Sequence, residues 1–227
     1  MHPSNPHFFP LPLPFFLGLA VLVGILIALI EVGILEYAYA KMGVNRRYVF
    51  ALLLVSLLGS YINIPVAQLP DEQVVAGHVV THFGMRYVVP MVQEWPGTII
   101  AVNIGGAVIP TVLSLYLMVK NRLYLHSLVG VVIVAVVVHL IATPVRGMGI
   151  AVSIFIPPLV ATGTAVLLQR RSTPALAYIV GSLGTLLGAD LLNLGNLQGL
   201  GAPVASIGGA GTFDGIFLTG ILAVLLA

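Results

Sequence analysis

The chain reads as an all-α, polytopic transmembrane bundle of about seven helices in a single domain, and three observations predict it. Its 227 residues are 59% hydrophobic and 7% charged, with a mean hydropathy of +1.11, whereas an ordinary soluble domain carries about 25% charged residues. Windows of about 20 apolar residues, the length that crosses a hydrocarbon core of roughly 30 Å, fall at 15–40, 48–68, 98–119, 124–143, 147–169, 174–194 and 208–227. The basic residues Lys41, Arg46, Arg47, Lys120, Arg122, Arg170 and Arg171 sit in alternate connections, after helices 1, 3 and 5. By the positive-inside rule those connections are cytoplasmic, which predicts a multi-pass protein of the inner membrane with its N-terminus outside and its C-terminus in the cytoplasm. The runs are too uniformly apolar for an outer-membrane barrel.

The elements follow in order. The segment 1–14 is expected outside the membrane; the five prolines of MHPSNPHFFPLPLPFF delay a helix until about Phe15. With no Lys or Arg, it lacks the basic start of a signal peptide. Helix 1 carries Glu31 in its inner half and Glu36 close to Lys41; a lone intramembrane Glu is either a coupling acid or the partner of a hydroxyl or backbone group. The outer connection 69–97 holds Asp71, Glu72, His78, His82, Arg86, Glu94 and Trp95 and is expected to lie on the membrane as a short amphipathic segment. His78 and His82 share one face of such a helix. His-Val-Val-Thr-His lacks the Glu of a metalloprotease helix and the further ligands of a zinc site, so no metal is expected. Pro110, Pro157 and Pro158 fall inside helices 3 and 5, where they permit kinks.

An internal repeat is suggested by matched fragments. Arg46-Arg47, Ala51-Leu52 and Gly59-Ser60 are echoed by Arg170-Arg171, Ala175-Leu176 and Gly184-Thr185. Asn103-Ile-Gly-Gly-Ala107 is echoed by Ser206-Ile-Gly-Gly-Ala210. These matches relate helices 1–3 to helices 5–7 without reversal, a parallel 3+1+3 arrangement.

Two acids stand out in the last two apolar stretches. Asp190 lies towards the outer end of helix 6 and Asp214 at the start of helix 7, and carboxylates in such places are costly and commonly handle protons, ions or bonds. Between them runs a Gly-rich connection, 195–210, with Gly208, Gly209 and Gly211 at or just beyond its end. If the carboxyls share a dry site, repulsion and desolvation leave the pair holding one proton. One member then takes a proton from water while the other donates to a carbonyl, the aspartic-protease reaction. Asn193, Thr212, Arg146 and His139 are the polar residues placed to support them, His139 as a proton relay or an interfacial group. The competing reading makes each Asp a helix cap or an Arg146 partner.

Over GAGTFDGIFLTGILAVLLA, helix 7 resembles the second-aspartate helix of presenilin-type and signal-peptide-peptidase-type intramembrane proteases, where Gly-x-Gly-Asp precedes an apolar helix. The resemblance implies a catalytic pair, Asp190 and Asp214. Phe213 replaces the second Gly, Ala189 stands where those families have Tyr, and the only Pro-Ala-Leu, Pro174 to Leu176, lies far from both acids. A longer resemblance, through GSLGTLLGADLLNL, GLGAPVASIGGAGTFDGIFLTG, NIGGAVIPTVLSLYL and SIFIPPLVA, is to a family of bacterial and archaeal integral membrane proteins catalogued as a domain of unknown function. That resemblance implies no activity.

The absence of Cys removes thiolate metal sites and Cys nucleophiles. No phosphate-binding loop, dinucleotide fingerprint or serine elbow occurs, and no basic face suits nucleic acid. No cofactor is expected. The sequence thus predicts an intramembrane aspartyl hydrolase, with a proton-coupled carrier using the same acids, or a structural subunit, as alternatives. The expected partners are the lipid bilayer and a transmembrane-peptide or small-solute substrate; the oligomeric state is left open.

Overall fold

The computed structural model describes residues 21, 24, 28, 31–70, 72–82, 85–95, 97–145, 149–197, 203–209 and 215–227. The chain divides into two compact units, Met1–Tyr37 and Ala38–Ala227. In the first, the described residues are helical; helix α1 covers 31–41, and its last four residues belong to the second unit.

The second unit continues with α2 (Arg46–Gly59), α3 (Ile109–Lys120), α4 (Tyr124–Ile141), α5 (Ile156–Leu168), α6 (Thr173–Thr185) and α7 (Gly215–Leu226). The protein is mostly helical, but the all-α expectation needs correcting. Among the described residues there are three small sheets: β1 (Asn63–Gln68), β4 (Ile99–Asn103) and β7 (Val204–Ile207) in the order β1-β4-β7; a hairpin of β2 (Glu72–His82) and β3 (Met85–Trp95); and a second hairpin of β5 (Thr143–Val145) and β6 (Gly149–Ala151). Helix windows two, three and five are therefore shorter than expected. Their ends are given to strands rich in β-branched residues, such as Ile64 and Val66 in β1 and Ile99, Ile100 and Val102 in β4, which a pleated backbone accommodates well.

The connection 69–97 is likewise mostly a hairpin and not an amphipathic surface helix, in register from Glu72↔Trp95 to His82↔Met85. His78 and His82 consequently stand about 13 Å apart along one strand, and the shared helical face that would have brought two imidazoles together is absent. Two of the prolines are corrected too: Pro157 and Pro158 occupy the first turn of α5, where a missing backbone donor costs little. Pro110 lies inside the continuous helical run Ile104–Lys120, two residues beyond a π-helical turn, Ile104–Val108, that carries the backbone from β4 into α3.

Among the described residues, two helical stretches are long and apolar enough to cross a membrane: Tyr124–Ile141 and Thr173–Leu197, of 18 and 25 residues. The second is continuous through three geometries, since α6 passes into a π-helical turn, Leu186–Asp190, and then a 3₁₀ segment, Leu191–Leu197. It is also the central helix, packed against α3, α4, α5 and α7, and nearly every residue of Thr173–Thr185 is buried. Small residues allow this. A Cβ on Gly184 would come within 2.6 Å of Val134, and one on Gly188 within 2.4 Å of the Ala135 carbonyl oxygen, so α4 and α6 approach as closely as backbones can. The contacts Gly130–Val180 and Gly184–Val134 advance together, so α4 and α6 run in the same direction.

Candidate functional site

Asp190 closes the π-helical turn of the central helix, a geometry that appears mostly as single turns and frequently at functional sites. The wide turn leaves backbone carbonyls to be satisfied, and Asn193 does this. Its Nδ2 donates to the Gly188 and Ala189 oxygens at 2.8 and 3.1 Å, and its Oδ1 accepts from Asn196 Nδ2 at 2.9 Å. Asn193 is buried; it holds the turn that presents Asp190.

The Asp190 carboxylate reaches across to the second Ile-Gly-Gly motif. Its Oδ2 accepts from the Gly208 backbone N–H at 2.7 Å, eighteen residues further on. Gly208 and Gly209 both have positive φ, +88° and +80°, a conformation that glycine alone adopts without penalty. This bend turns the Gly208 N–H towards the acid.

The same bend locks onto the first Ile-Gly-Gly motif. A Cβ on Gly106 would lie 1.8 Å from the Gly208 oxygen, and one on Gly208 would lie 2.5 Å from the Ala107 nitrogen. The two motifs meet because the strands leading into them are parallel neighbours, with Ala101↔Ser206 and Val102↔Ile207 in register. On the far side, β1 pairs antiparallel with β4, placing Asn63 opposite Asn103.

A cluster of amides and a hydroxyl fills the crossing. Asn103, 1% exposed, donates from Nδ2 to the Ser60 oxygen at 2.7 Å and to Asn63 Oδ1 at 3.0 Å, and its Oδ1 accepts from the Gly106 N–H at 2.8 Å. The last bond caps the helical run that leads into α3. Ser206 Oγ lies 2.6 Å from both Asn63 Oδ1 and the Gly209 oxygen, and its single proton serves one of them at a time.

Of the residues predicted from sequence, the structure brings Asp190, Gly208, Gly209 and Asn193 together. Asp214, Gly211, Thr212 and Arg146 lie outside the described residues, and α7 is described from Gly215 onward. His139, in the last turn of α4, has a buried Nδ1 with no hydrogen-bond partner among the described residues, Asp190 included. Glu31 is exposed. Among the described residues no cluster of His, Asp and Glu could hold a metal ion. Sequence reasoning read Asn103 and Ser206 only as marks of a repeat. Their signal was a polar amide or hydroxyl beside glycines in an apolar run.

Neither the curated proteins nor the solved structures contain a match to this chain. A family model described as "Protein of unknown function (DUF1614)" matches residues 57–226, a span that takes in all three strands of the sheet, both glycine motifs and both acids. The chain belongs to that family.

Proposed function

We propose that the chain is a multi-pass protein of the inner membrane whose Asp190 and Asp214 act as the dyad of an intramembrane aspartyl hydrolase, with a transmembrane peptide as substrate. The reading is carried by the 2.7 Å bond from the Gly208 N–H to Asp190. It ties the first acid to the segment that runs, six residues later, into the second. In this reading one carboxyl removes a proton from water, the hydroxide adds to the scissile carbonyl carbon, and the other carboxyl protonates the carbonyl oxygen. As the tetrahedral adduct collapses and its C–N bond breaks, the first carboxyl returns its proton to the leaving amine and the second recovers its proton from one of the adduct's hydroxyls. The chemistry needs no cofactor. A further support is β7, an edge strand among the described residues, since an extended peptide can add to a free sheet edge by main-chain hydrogen bonds.

The finer architecture belongs to the same proposal: seven membrane helices, the N-terminus outside, the C-terminus cytoplasmic, and a parallel 3+1+3 repeat. Its support is the recurrence of one order of elements, strand, Ile-Gly-Gly-Ala and helix, in β4 to α3 and in β7 to α7.

A second reading, a proton-coupled carrier, is favoured by one observation. The helical runs pass through π turns at Asp190 and at the first glycine motif, a geometry frequent at functional sites, and irregular helices form the binding sites of many transporters. One experiment separates the two. The purified protein in liposomes is given a panel of transmembrane peptides beside a pH-dye flux assay, with Asp190→Asn and Asp214→Asn as variants. Peptide cleavage abolished by either variant supports the hydrolase; flux that needs both acids, with no peptide cut, replaces it with the carrier; neither activity leaves a structural subunit.

A further inference from the structure

The turn between α3 and α4 contains the one non-glycine residue with positive φ among the described residues, Arg122 at +53°. The hydrogen bonds around it are those of a complete Schellman closure. The Arg122 N–H reaches the Val119 oxygen at 3.3 Å and the Leu123 N–H reaches the Met118 oxygen at 3.0 Å, with Leu123 buried beneath. At this position helices usually place Gly, and sometimes Asn, because a β-carbon is penalised there. The same protein supplies its own comparison: at the end of α1 the equivalent bonds, Gly43 N–H to the Ala40 oxygen and Val44 N–H to the Tyr39 oxygen, close around Gly43 at +84°. The two turns touch, since Lys120 Nζ donates to the Gly43 oxygen. One turn therefore takes the unstrained residue and its neighbour takes arginine, with the side chain exposed.

A residue kept in a disfavoured conformation needs a compensating role, and the surroundings of Arg122 say which. Lys120 is held by the Gly43 oxygen and Lys41 by the Leu225 oxygen at 3.4 Å. Arg47, Arg122, Arg170 and Arg171 are exposed, and no side-chain ion pair engages them among the described residues. The α5–α6 turn that bears Arg170 and Arg171 lies at the same end of the bundle, because α4 and α6 run in parallel and Leu168 packs beside Gly130. No Asp or Glu occurs in 38–70 or 95–189, so nothing within these turns neutralises the four guanidinium groups. Arginine forks suit phosphate oxygens in particular.

We infer that this collar is a phosphate-binding surface centred on Arg122, and that it engages the headgroup phosphate of anionic lipids or free phosphate. The site is separate from Asp190; only the lipid source rests on the membrane reading proposed above. Failure of the peptide and flux assays would leave the collar standing, and failure of the collar would leave those assays untouched.

The test uses the full chain purified in zwitterionic detergent and follows thermal unfolding while a short-chain phosphatidylglycerol, the matching phosphatidylcholine, or inorganic phosphate is added. The expected result is a saturable rise in Tm with phosphatidylglycerol and none with phosphatidylcholine. Arg122→Gly should move the midpoint of that rise to about fivefold higher lipid, the worth of one basic residue at an anionic surface, while its Tm without lipid stays the same or rises as backbone strain is relieved. Arg170→Gln/Arg171→Gln, which leaves the strained turn untouched, should move the midpoint in the same direction. An equal response to inorganic phosphate assigns the site to free phosphate; a response confined to phosphatidylglycerol assigns it to lipid. A midpoint unchanged in both variants, an equal response to phosphatidylcholine, or a lower starting Tm for Arg122→Gly would overturn the inference.

Discussion

Replacing Gly106 by alanine tests whether the two glycine motifs are interlocked as described. The added methyl would stand 1.8 Å from the Gly208 oxygen, about half a normal carbon–oxygen contact distance. No rotamer can relieve it, because both partners are backbone. The segments must separate by more than 1 Å, which strains the β4–β7 pairing at Val102↔Ile207 and pulls Gly208 away from Asp190. Overpacking a well-filled core costs about 1–3 kcal/mol when side chains can shift; with backbone on both sides, and one or two hydrogen bonds lost at about 1 kcal/mol each, the expected cost is about 3–5 kcal/mol. The control is Gly163→Ala in α5, where a Cβ meets nothing within 4 Å. That substitution should stabilise by up to about 1 kcal/mol, the helix-propensity difference. Thermal unfolding of both variants in one detergent decides the matter. A Gly106→Ala protein as stable as Gly163→Ala would refute the crossing of the two motifs.

Two further outcomes follow from other parts of the fold. Asn103→Ala should cost about 2–4 kcal/mol, since it strips the cap from the buried Gly106 N–H and leaves the Ser60 oxygen unsatisfied; Asn103→Ser, the residue type at the matching position of the second motif, should recover part of the loss in the same unfolding assay. Single cysteines at Arg47 and at Arg170 should be labelled by a membrane-impermeant reagent from the same side of the membrane, and labelling from opposite sides would end both the proposed orientation and the parallel repeat.

How much was legible in the sequence depends on which physical signal each element leaves. The windows 124–143 and 174–194 coincide closely with α4 and the long central helix, because an unbroken apolar run of that length has few other fates. The strands left no such trace. When both faces of a segment are apolar, as in Ile99–Val102, neither the period of a strand nor that of a helix can register. The hairpin was missed for a related reason: His78 and His82 are four apart, and that spacing puts residues on one face of a strand as well as of a helix. Asp190 was visible as a rare charge, and Gly208 and Gly209 as a paired break. Asn103 was harder to value, since its work depends on Asn63 and Ser60, some forty residues earlier, arriving at its side.

The pairing of β4 with β7 also sets the order in which the protein can assemble. Ala101 and Ser206 are neighbours in the sheet yet roughly a hundred residues apart in the chain, and such distant contacts form late. While the ribosome is still making α4, α5 and α6, strand β4 has β1 on one side and an open edge on the other. The nascent half-sheet must wait for Val204–Ile207 to close it, and in that interval the open edge is available to any extended segment of another chain. Chains that stop before Val204 should therefore accumulate as aggregates or be degraded, even though they contain most of the helices.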